Sequence, residues 1–413
     1  MISTISELET YFKSLRQGDY QRDNFDAFLD KIKFIFDLPA IHISGSNGKG
    51  TTGSVIKNIY IKEKYKVGYF HSPYLYSFTE MTSVNDKNID INDFLDIVNQ
   101  YKPLIDKYSL SEFEVETLVA FEYFKKEKVD IAIIECGMGG LLDATNVFTP
   151  ILSIITSISL EHTFFLGSSL TEVARHKAGI IKKDIPVLVG ELDDESMEVI
   201  KEVAKENKSR VHVVGHYLFE ELQNDGYMFT YKPYDNLKIH SLALFSVIDA
   251  SIALAAVEIL KERFPVSKAS IYEGVADTTL TGRMEILNQK PLVIADGAHN
   301  PEASMRLRES LEKLQNDRPI HIIFAAFRDK NIERMLAEYN FISQDITLTT
   351  FDHPRARQEE EYFLFLGEFP FNADYKSLIA KKFKEYPNDI IVITGSLAFS
   401  SIVSKEWKEG KIK

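Results

Sequence analysis

The sequence predicts an α/β protein in which parallel strands alternate with helices. Short β-branched runs recur along the chain, and each is followed by a polar or glycine-containing loop and then by helical periodicity. Runs of this kind are buried on both faces, which is typical of a parallel sheet covered by helices. The 413 residues are enough for two or three domains, and a hydrophobic content of 45% supports sizeable cores.

Two series of strands divide the chain. Residues 231–238, YKPYDNLK, are predicted to be irregular and poor in strands. A domain boundary is predicted near TTLTGRMEI (278–286), so we expect an N-terminal domain over residues 1–282 and a smaller C-terminal α/β domain over residues 283–413. The predicted strands lie in AIHIS (40–44), KVGYF (66–70), DIAIIE (130–135), ILSIITS (151–157) and IPVLVG (185–190), and then in PLVIADGAHN (291–300), IHIIFAAFRDKN (320–331), DITLTTFDHPRA (345–356) and DIIVITGSLAF (389–399).

Charge and cysteine content limit the function classes. A formal net charge of −13 argues against nucleic-acid and anionic-membrane partners, because an acidic surface repels both. Cys136 is the only cysteine, so neither a disulfide framework nor a cysteine zinc site is expected. The N-terminus lacks a basic start followed by an apolar run, so we expect a cytoplasmic protein rather than a secreted one.

One apolar stretch, residues 242–260, is long enough to be mistaken for a membrane span. Asp249 lies near its centre and would be costly in lipid, and Ser246 and Ser251 add polar surface. We therefore predict a buried helix here, and no membrane partner.

The loop after the first strand, GSNGKGTT (45–52), has the composition of an anion site. Its glycines allow backbone N–H groups to approach an anion, Lys49 supplies a charge for a phosphate, and the two threonines would cap the next helix or bind Mg²⁺. The common phosphate-loop pattern is not met, because Ile43 stands where its first glycine belongs and Gly50 separates the lysine from the threonines. A variant phosphate loop is predicted, with a glycine-rich turn as the structural alternative.

Polar side chains also follow other predicted strands. Ser72 follows the second strand, Glu135 ends the third and His162 follows the fourth. Ligands of open α/β sheets bind beyond the carboxyl ends of the strands. A carboxylate there suits a phosphate-bound Mg²⁺, although an ordinary salt bridge is the alternative. A histidine ligand would imply a second, looser metal site, and the alternative is a packed histidine.

Lys177 lies in an apolar helical setting, ARHKAGII (174–181). A buried amine that has lost its proton can act as a nucleophile or take up CO₂ as a carbamate, which would supply an anionic oxygen ligand. The alternative is a lysine whose ammonium reaches solvent. In the second series, Arg283 suits phosphate or ring stacking, and Asp296 and His299 add further polar groups, with the Asp suited to a ribose hydroxyl.

Several of these segments together resemble the signatures of folylpolyglutamate synthases and dihydrofolate synthases, which belong to the Mur ligase superfamily. The resemblance runs from about residue 40 to the end of the chain. It implies an N-terminal P-loop-type ATPase domain and a smaller Rossmann-like C-terminal domain. The matching segments are SGSNGKGT (44–51), HSPYLYSF (71–78), ECGMGGLLDATNV (135–147), ITSISLEHTFFLG (155–167), EVARHKAGIIK (172–182), GRMEIL (282–287), DGAHNP (296–301) and TGSL (394–397).

The resemblance implies an ATP-dependent amide ligase. The γ-phosphate of ATP would activate a substrate carboxylate as an acyl phosphate, which the amine of L-glutamate would attack. The implied substrates are a folate or dihydropteroate together with L-glutamate, and the implied cofactors are ATP and two Mg²⁺ ions. Members of the family are often monomers, so a monomer is expected by analogy.

Site residues follow from the resemblance as well. The implied nucleotide-binding residues are Asn47, Gly48, Lys49, Gly50 and Thr51 of the glycine loop, together with Asp249, Arg283, Asp296 and His299. The implied metal ligands are Thr51, Ser72, Glu135, His162 and a carbamylated Lys177. The folate would contact Phe113, Asp143 and Ala144. The catalytic residues would be Lys49, His162 and Lys177.

The differences from the family pattern fall mostly around the folate. Tyr74 and Glu161 stand where members usually have His and Asp, and Leu280–Thr281 replaces a Trp-Pro pair. The ligase chemistry is therefore expected, with an additional dihydrofolate synthase activity as one alternative. A cell-wall Mur ligase is a second alternative, but only about 40 residues precede the loop, too few for its nucleotide-sugar domain. A catalytically silent nucleotide-binding relative is the third.

Overall fold

A computed structural model describes residues 1–16, 21–74, 76–279 and 282–412, so Leu280 and Thr281 lie outside the described residues. The chain divides into two compact units. Unit 1 comprises Met1–Tyr217, Tyr231–Pro233 and Asp249–Thr278, and unit 2 comprises Leu218–Thr230, Tyr234–Ile248 and Thr279–Lys413.

Unit 1 is built on an eight-stranded sheet of order β4-β3-β2-β5-β1-β6-β7-β8. From β2 to β8 in this order all neighbours pair in parallel, while β3 and β4 extend one edge in antiparallel fashion. The α/β class and the five strands predicted for this part of the chain are confirmed. The strands are β1 (Ala40–Ser44), β2 (Val67–Phe70), β3 (Thr82–Val84), β4 (Lys87–Asn88), β5 (Ile131–Glu135), β6 (Leu152–Ile155), β7 (Val187–Val189) and β8 (Val211–Val213).

The helices of unit 1 begin and end on recognisable signals. In α5, for example, Ser111 and Glu114 form a capping box, and Lys125 and Lys126 lie in the last turn, where they complement the helix dipole. The helices preceding β8 are α1 (Ile5–Ser14), α2 (Asp23–Ile32), α3 (Lys49–Lys62), α4 (Ile91–Tyr108), α5 (Glu112–Glu127), α6 (Thr163–Leu166), α7 (Leu170–Ala178) and α8 (Asp194–Glu206).

The prediction that residues 231–238 are poor in strands was wrong. Three antiparallel strands form a separate sheet: β9 (Phe219–Gln223), β10 (Gly226–Tyr231) and β11 (Tyr234–Ile239). Only two residues, Asn224 and Asp225, join β9 to β10, and both residue types are common in tight hairpin turns. The hairpin signal was therefore present in the sequence, and the polar residues around Pro233 obscured it.

The apolar stretch at residues 242–260 forms the predicted helix, α9 (Leu244–Leu260), and α10 (Lys268–Ala276) follows it. Asp249 and Ser251 are buried within protein, which supports the reading as a core helix. Among the described residues, no helix is both long and apolar enough to cross a membrane.

Unit 2 contains a six-stranded sheet of order β12-β13-β17-β14-β15-β16. The four strands predicted for this region are confirmed as β13, β14, β15 and β17, which pair in parallel, and β12 and β16 form the edges. The strands are β12 (Glu285–Gln289), β13 (Leu292–Ala295), β14 (Ile320–Phe324), β15 (Asp345–Thr349), β16 (Phe371–Asn372) and β17 (Ile390–Thr394), and the helices are α11 (Pro301–Gln315), α12 (Ile332–Asn340), α13 (Tyr375–Glu385) and α14 (Leu397–Lys408).

A buried histidine joins the amino ends of three strands of unit 2. The Nδ1 atom of His321 lies 2.6 Å from Asp345, its Nε2 atom lies 2.9 Å from Asp389, and Lys382 also donates to Asp345. Tyr386 stacks on the imidazole at 3.6 Å between ring centroids. Burial alone would lower the pKa of His321, but the hydrogen bonds to the two carboxylates outweigh it and raise the pKa above 6.5.

We expect a His321→Gln variant to be less stable, most clearly at acidic pH. Because the folded-state pKa is raised, the imidazolium contribution is complete below the unfolded-state value of 6.5 and is lost as the pH rises through the folded-state value. Urea unfolding should show a loss of about 2 kcal/mol near pH 6 that shrinks toward pH 9. The exposed His240 is the control, and its Gln variant should change stability by about 0.5 kcal/mol or less. A pH-independent loss at His321 would contradict this account.

Candidate active site

The glycine loop after β1 ends at Gly48, which caps α3. Gly48 has φ of +85°, a left-handed conformation that favours glycine. A Cβ there would lie 2.4 Å from Oδ1 of Asp249, so the carboxylate of Asp249 packs directly against the loop. The predicted nucleotide-binding residue Asp249 is therefore adjacent to the loop, and the first N–H groups of α3 lie at the end of the parallel sheet, where helix N-termini bind anions.

The loop is held by the strand next to β1. Asn47 N donates to the hydroxyl of Ser157 at 2.9 Å, and the hydroxyl of Thr156 donates to the carbonyl oxygen of Asn47 at 2.6 Å. Ser46 N donates to the carbonyl oxygen of Ser157 at 3.0 Å. Both partners lie just beyond β6, which pairs with β1, so the loop geometry is fixed by its neighbouring strand.

Lys49 lies in the first turn of α3, and its ammonium is turned back over the loop. Its Nζ donates to the carbonyl oxygen of Gly45 at 2.7 Å. Burial lowers the pKa of Lys49, while the nearby carboxylates of Glu161 and Glu135 act in the opposite direction and Lys177 adds to the lowering. These charges belong to one group of interacting side chains at the edge of the sheet.

Glu135 ends β5 with its carboxylate buried. The hydroxyl of Tyr69, on the adjacent strand β2, donates to its Oε1, and burial followed by the charge of Glu135 raises the pKa of Tyr69 well above its ordinary value. A Cβ at Gly53 would lie 3.0 Å from the same oxygen, so the carboxylate contacts the first turns of α3. Tyr69 was not predicted as a site residue, and alternation along β2 gave no signal for it.

Lys177 forms a buried ion pair with Glu161. The Nζ–Oε1 distance is 2.8 Å, and the two side chains are 1% and 10% exposed. Burial alone would raise the pKa of Glu161, but the charges of Lys177 and Lys49 outweigh it and hold the pKa at about 2. In the sequence, Glu161 stands out only as a departure from a family pattern, and its pairing with Lys177 was not predicted.

The predicted metal-binding residues share the carboxyl edge of the sheet. Ser72 follows β2 by two residues, and register pairs Phe70 with Ile134 of β5, which ends at Glu135. His162 is exposed and adopts a left-handed conformation at the start of α6. No group of three or more acidic, histidine or cysteine side chains suited to a metal occurs in the part of the chain that the structure describes.

This donor set fits a magnesium ion that is held largely by phosphates. Mg²⁺ commonly uses one or two carboxylates, substrate phosphates and water rather than a cage made only of protein. Glu135 offers a carboxylate, and the buried Thr51 offers a hydroxyl at the start of α3. Glu135 and Thr51 therefore fit the Mg²⁺ ion that the sequence implies.

The predicted substrate residues all lie in unit 1, with Phe113 in the first turn of α5 and Asp143 and Ala144 in the loop after β5. The carboxylate of Asp143 is buried and accepts hydrogen bonds from Met138 N at 2.8 Å and Thr145 N at 3.0 Å. Burial raises its pKa, although these hydrogen bonds oppose the rise. The carboxylate of Asp143 therefore stabilises the loop that contains it, and the adjacent Ala144 is also buried. The ring centroids of Phe113 and Phe70 lie 5.9 Å apart. A Cβ at Gly137 would lie 2.5 Å from the ring of Phe113, so this loop packs closely against it.

Three predicted nucleotide-binding residues lie close together in unit 2. Asp296 is buried and accepts hydrogen bonds from Met284 N and Ala298 N, both at 2.8 Å. Burial raises its pKa, and the charge of Arg283 counteracts this rise. His299 Nδ1 lies 2.9 Å from the carbonyl oxygen of Gly297. A cavity of about 390 Å³ in unit 2 is lined by Arg283 but not by Asp296 or His299.

Comparison with known proteins agrees with these features. The Mur ligase middle domain matches residues 43–257, and the Mur ligase glutamate ligase domain matches residues 282–397. A Bacillus subtilis dihydrofolate synthase/folylpolyglutamate synthase is 33% identical over 90% of this chain and 91% of its own length. A folylpolyglutamate synthase of Lacticaseibacillus casei is 29% identical over 90% of each chain.

Solved structures give the same result. Escherichia coli FolC in complex with DHPP and ADP is 26% identical, covers 99% of each chain and has a TM-score of 0.89. The two matched domains define a Mur-type ligase. Within that class, the chain belongs to the folylpolyglutamate synthase/dihydrofolate synthase family.

Proposed function

We propose that this ligase adds L-glutamate to the terminal carboxylate of tetrahydrofolate, using ATP and Mg²⁺. One observation carries the proposal. A glycine loop at a helix N-terminus lies within one electrostatic group with Lys49, Glu135, Glu161 and Lys177 at the carboxyl edge of a parallel sheet. Such a site suits a triphosphate in a protein whose net charge of −13 would otherwise repel it.

The chemistry begins with transfer of a phosphoryl group. The N–H groups from Gly48 to Thr51 and the ammonium of Lys49 hold the phosphates and stabilise the charge that develops on the transferring group. An oxygen of the folate carboxylate bonds to the γ-phosphorus, and ADP leaves, which gives an acyl phosphate. The neutral amine of glutamate then attacks the acyl carbon, and the tetrahedral intermediate expels phosphate as the amide forms.

Magnesium would supply charge neutralisation for the phosphates and the leaving group. We assign one ion to Thr51, Ser72 and Glu135 and a second to His162 and Lys177. For Lys177 to act as an oxygen ligand it must become a carbamate, and an amine combines with CO₂ only after losing its proton. The Nζ atom lies 2.8 Å from Oε1 of Glu161, so carbamylation requires this ion pair to open.

Further assignments rest on the resemblance and are proposals. Asp249, Arg283, Asp296 and His299 bind the nucleotide, and Phe113, Asp143 and Ala144 bind the folate. The C-terminal domain is assigned to residues 283–413. We also propose that the enzyme is a monomer and works in the cytoplasm, where its buried thiol, Cys136, suits a reducing environment.

A second activity, the addition of glutamate to dihydropteroate, is supported by the double name of the Bacillus subtilis relative. Both reactions join a carboxylate to the same amine, so one site could serve them. They differ in whether the carboxylate belongs to an aminobenzoyl group or to a glutamate side chain.

Purified protein incubated with ATP, Mg²⁺, L-glutamate and tetrahydrofolate tests the proposal by mass spectrometry. We expect the folate to gain the mass of one or more glutamate residues, with one ADP formed per addition. A parallel reaction with dihydropteroate decides the second activity. If both acceptors stay unchanged in mass while the protein is folded and binds ATP, the proposed function is wrong.

A further inference from the structure

Helix α5 contains a buried carboxyl group whose hydrogen bonding is incomplete. Glu116 is 5% exposed, and its Oε1 atom has no hydrogen-bond partner in the described parts of the chain. The helical positions around it, Val115 and Leu118 among them, are buried and apolar. Burying an unpartnered polar atom costs free energy, so folding alone would favour an apolar side chain at this position.

Glu114, on the same helix, shows how this protein normally satisfies a buried carboxylate. It is 4% exposed, and it accepts hydrogen bonds from Arg16 at 2.8 Å and from Ser111 N at 2.6 Å. Glu114 therefore caps the helix and binds an arginine. The free oxygen of Glu116 has no such structural explanation.

Besides these apolar residues, aromatic and acidic side chains lie near Glu116. Phe113 and Glu112 lie three and four positions before it, which places them one turn away on the same side of α5. Burial raises the pKa of Tyr74, and the charges of Glu112 and Glu116 raise it further, so this tyrosine lies near both carboxyl groups. Burial, followed by the charge of Glu112, also raises the pKa of Glu116 well above its ordinary value. This shift favours the neutral carboxyl, which can donate one hydrogen bond and accept another.

The carboxyl and aromatic groups near Glu116 determine which part of the proposed substrates can bind beside it. ATP, free glutamate and the glutamate tail of a folate are all anionic, and Glu112 would repel them. The pteridine ring is flat and uncharged, and its 2-amino-4-oxopyrimidine edge presents N–H donors beside acceptors. Such an edge pairs with a carboxyl group through two hydrogen bonds, and aromatic side chains can stack on the ring.

We propose that Glu116 determines specificity for the ring end of the substrate, with its free carboxyl oxygen paired to the 2-amino-4-oxopyrimidine edge of the pteridine. The inference rests on the proposed function. It also accounts for a glutamate at a position that packing would assign to leucine. A site that binds a substrate N–H group strongly rejects an analogue that lacks it, because the buried carboxyl is then left unpaired.

The experiment compares kcat/KM for tetrahydrofolate with that for an analogue in which a methyl group replaces the 2-amino group. In the wild-type enzyme we expect the analogue to be worse by about 10-fold or more. In Glu116→Leu the two substrates should be used nearly equally, and in Glu116→Gln, which keeps an amide, the ratio should be intermediate. The Leu variant should be at least as resistant to thermal unfolding as the wild type.

Glu114→Gln is the matched control, because it alters a buried carboxylate that contacts Arg16. It should lower the Tm and leave the substrate ratio at the wild-type value. A folded Glu116→Leu or Glu116→Gln variant that keeps the full wild-type ratio would overturn the inference while leaving the proposed function intact. A wild-type enzyme that adds glutamate to neither folate would instead overturn the proposed function itself.

Discussion

Replacing Lys49 by Met should reduce the rate of glutamate addition by roughly 10³-fold, the scale seen when a group that stabilises transition-state charge is removed. The ammonium of Lys49 lies over the glycine loop, 2.7 Å from the carbonyl oxygen of Gly45. No other lysine lies within that loop. Burial lowers the pKa of Lys49, so its charge is disfavoured by folding, and the Met variant should unfold at the wild-type temperature or above.

Lys62→Met is the control, because Lys62 lies in the same helix and pairs at the surface with Asp277. Its kcat should stay within about twofold of the wild type, since exposed ion pairs contribute little. Steady-state kinetics and calorimetric titration of ATP on both variants separate catalysis from binding. A Lys49→Met enzyme with more than a tenth of wild-type activity would show that the loop lysine does not act on the transferring phosphoryl group.

Replacing Lys177 by Arg should abolish turnover and preserve the fold. Arginine keeps the positive charge beside Glu161, so the buried carboxylate stays paired, but a guanidinium cannot form the proposed carbamate. Lys177→Ala should instead destabilise the protein by about 3–5 kcal/mol, because Glu161 would be left as an uncompensated buried charge. Thermal unfolding and the glutamate-addition assay together measure both effects.

Rescue distinguishes a carbamate from an ammonium as the active form. In Lys177→Ala, added acetate or bicarbonate would place an anionic oxygen in the space vacated by the side chain, and we expect part of the rate to return. Added methylammonium, which restores a cation beside Glu161, is the control and should recover stability without turnover. Undiminished activity in Lys177→Arg would refute the carbamate.

Residues at strand ends could be predicted from the sequence, because β-branched runs mark the strands and parallel strands share one carboxyl edge. That rule placed the glycine loop, Glu135 and His162 on one side of one sheet. It could not predict the Glu161–Lys177 ion pair, because the two residues lie on separate elements and only tertiary packing brings their side chains together. The same limit applies to the contact of Tyr69 with Glu135 across β2 and β5.

Other features were missed for local reasons. The antiparallel sheet at residues 219–239 carries a two-residue hairpin signal, but its outer strands β9 and β11 are short and rich in polar residues, so period-two alternation was weak there. Asp143 was predicted as a substrate residue, and the structure engages both of its oxygens within its own loop. The Oε1 atom of Glu116 has no hydrogen-bond partner in the described parts of the chain because of the tertiary packing around it, and residue spacing in the sequence does not predict that packing.

The most direct test follows the oxygen atoms of the reaction. Tetrahydrofolate labelled with ¹⁸O in its terminal carboxylate would be converted with ATP, Mg²⁺ and L-glutamate, and the released phosphate would be analysed by mass spectrometry. If the site activates the carboxylate by phosphoryl transfer, each amide formed should send one ¹⁸O atom into inorganic phosphate. Amide formation with unlabelled phosphate would contradict the account, because the carboxylate would then have been activated without an acyl phosphate.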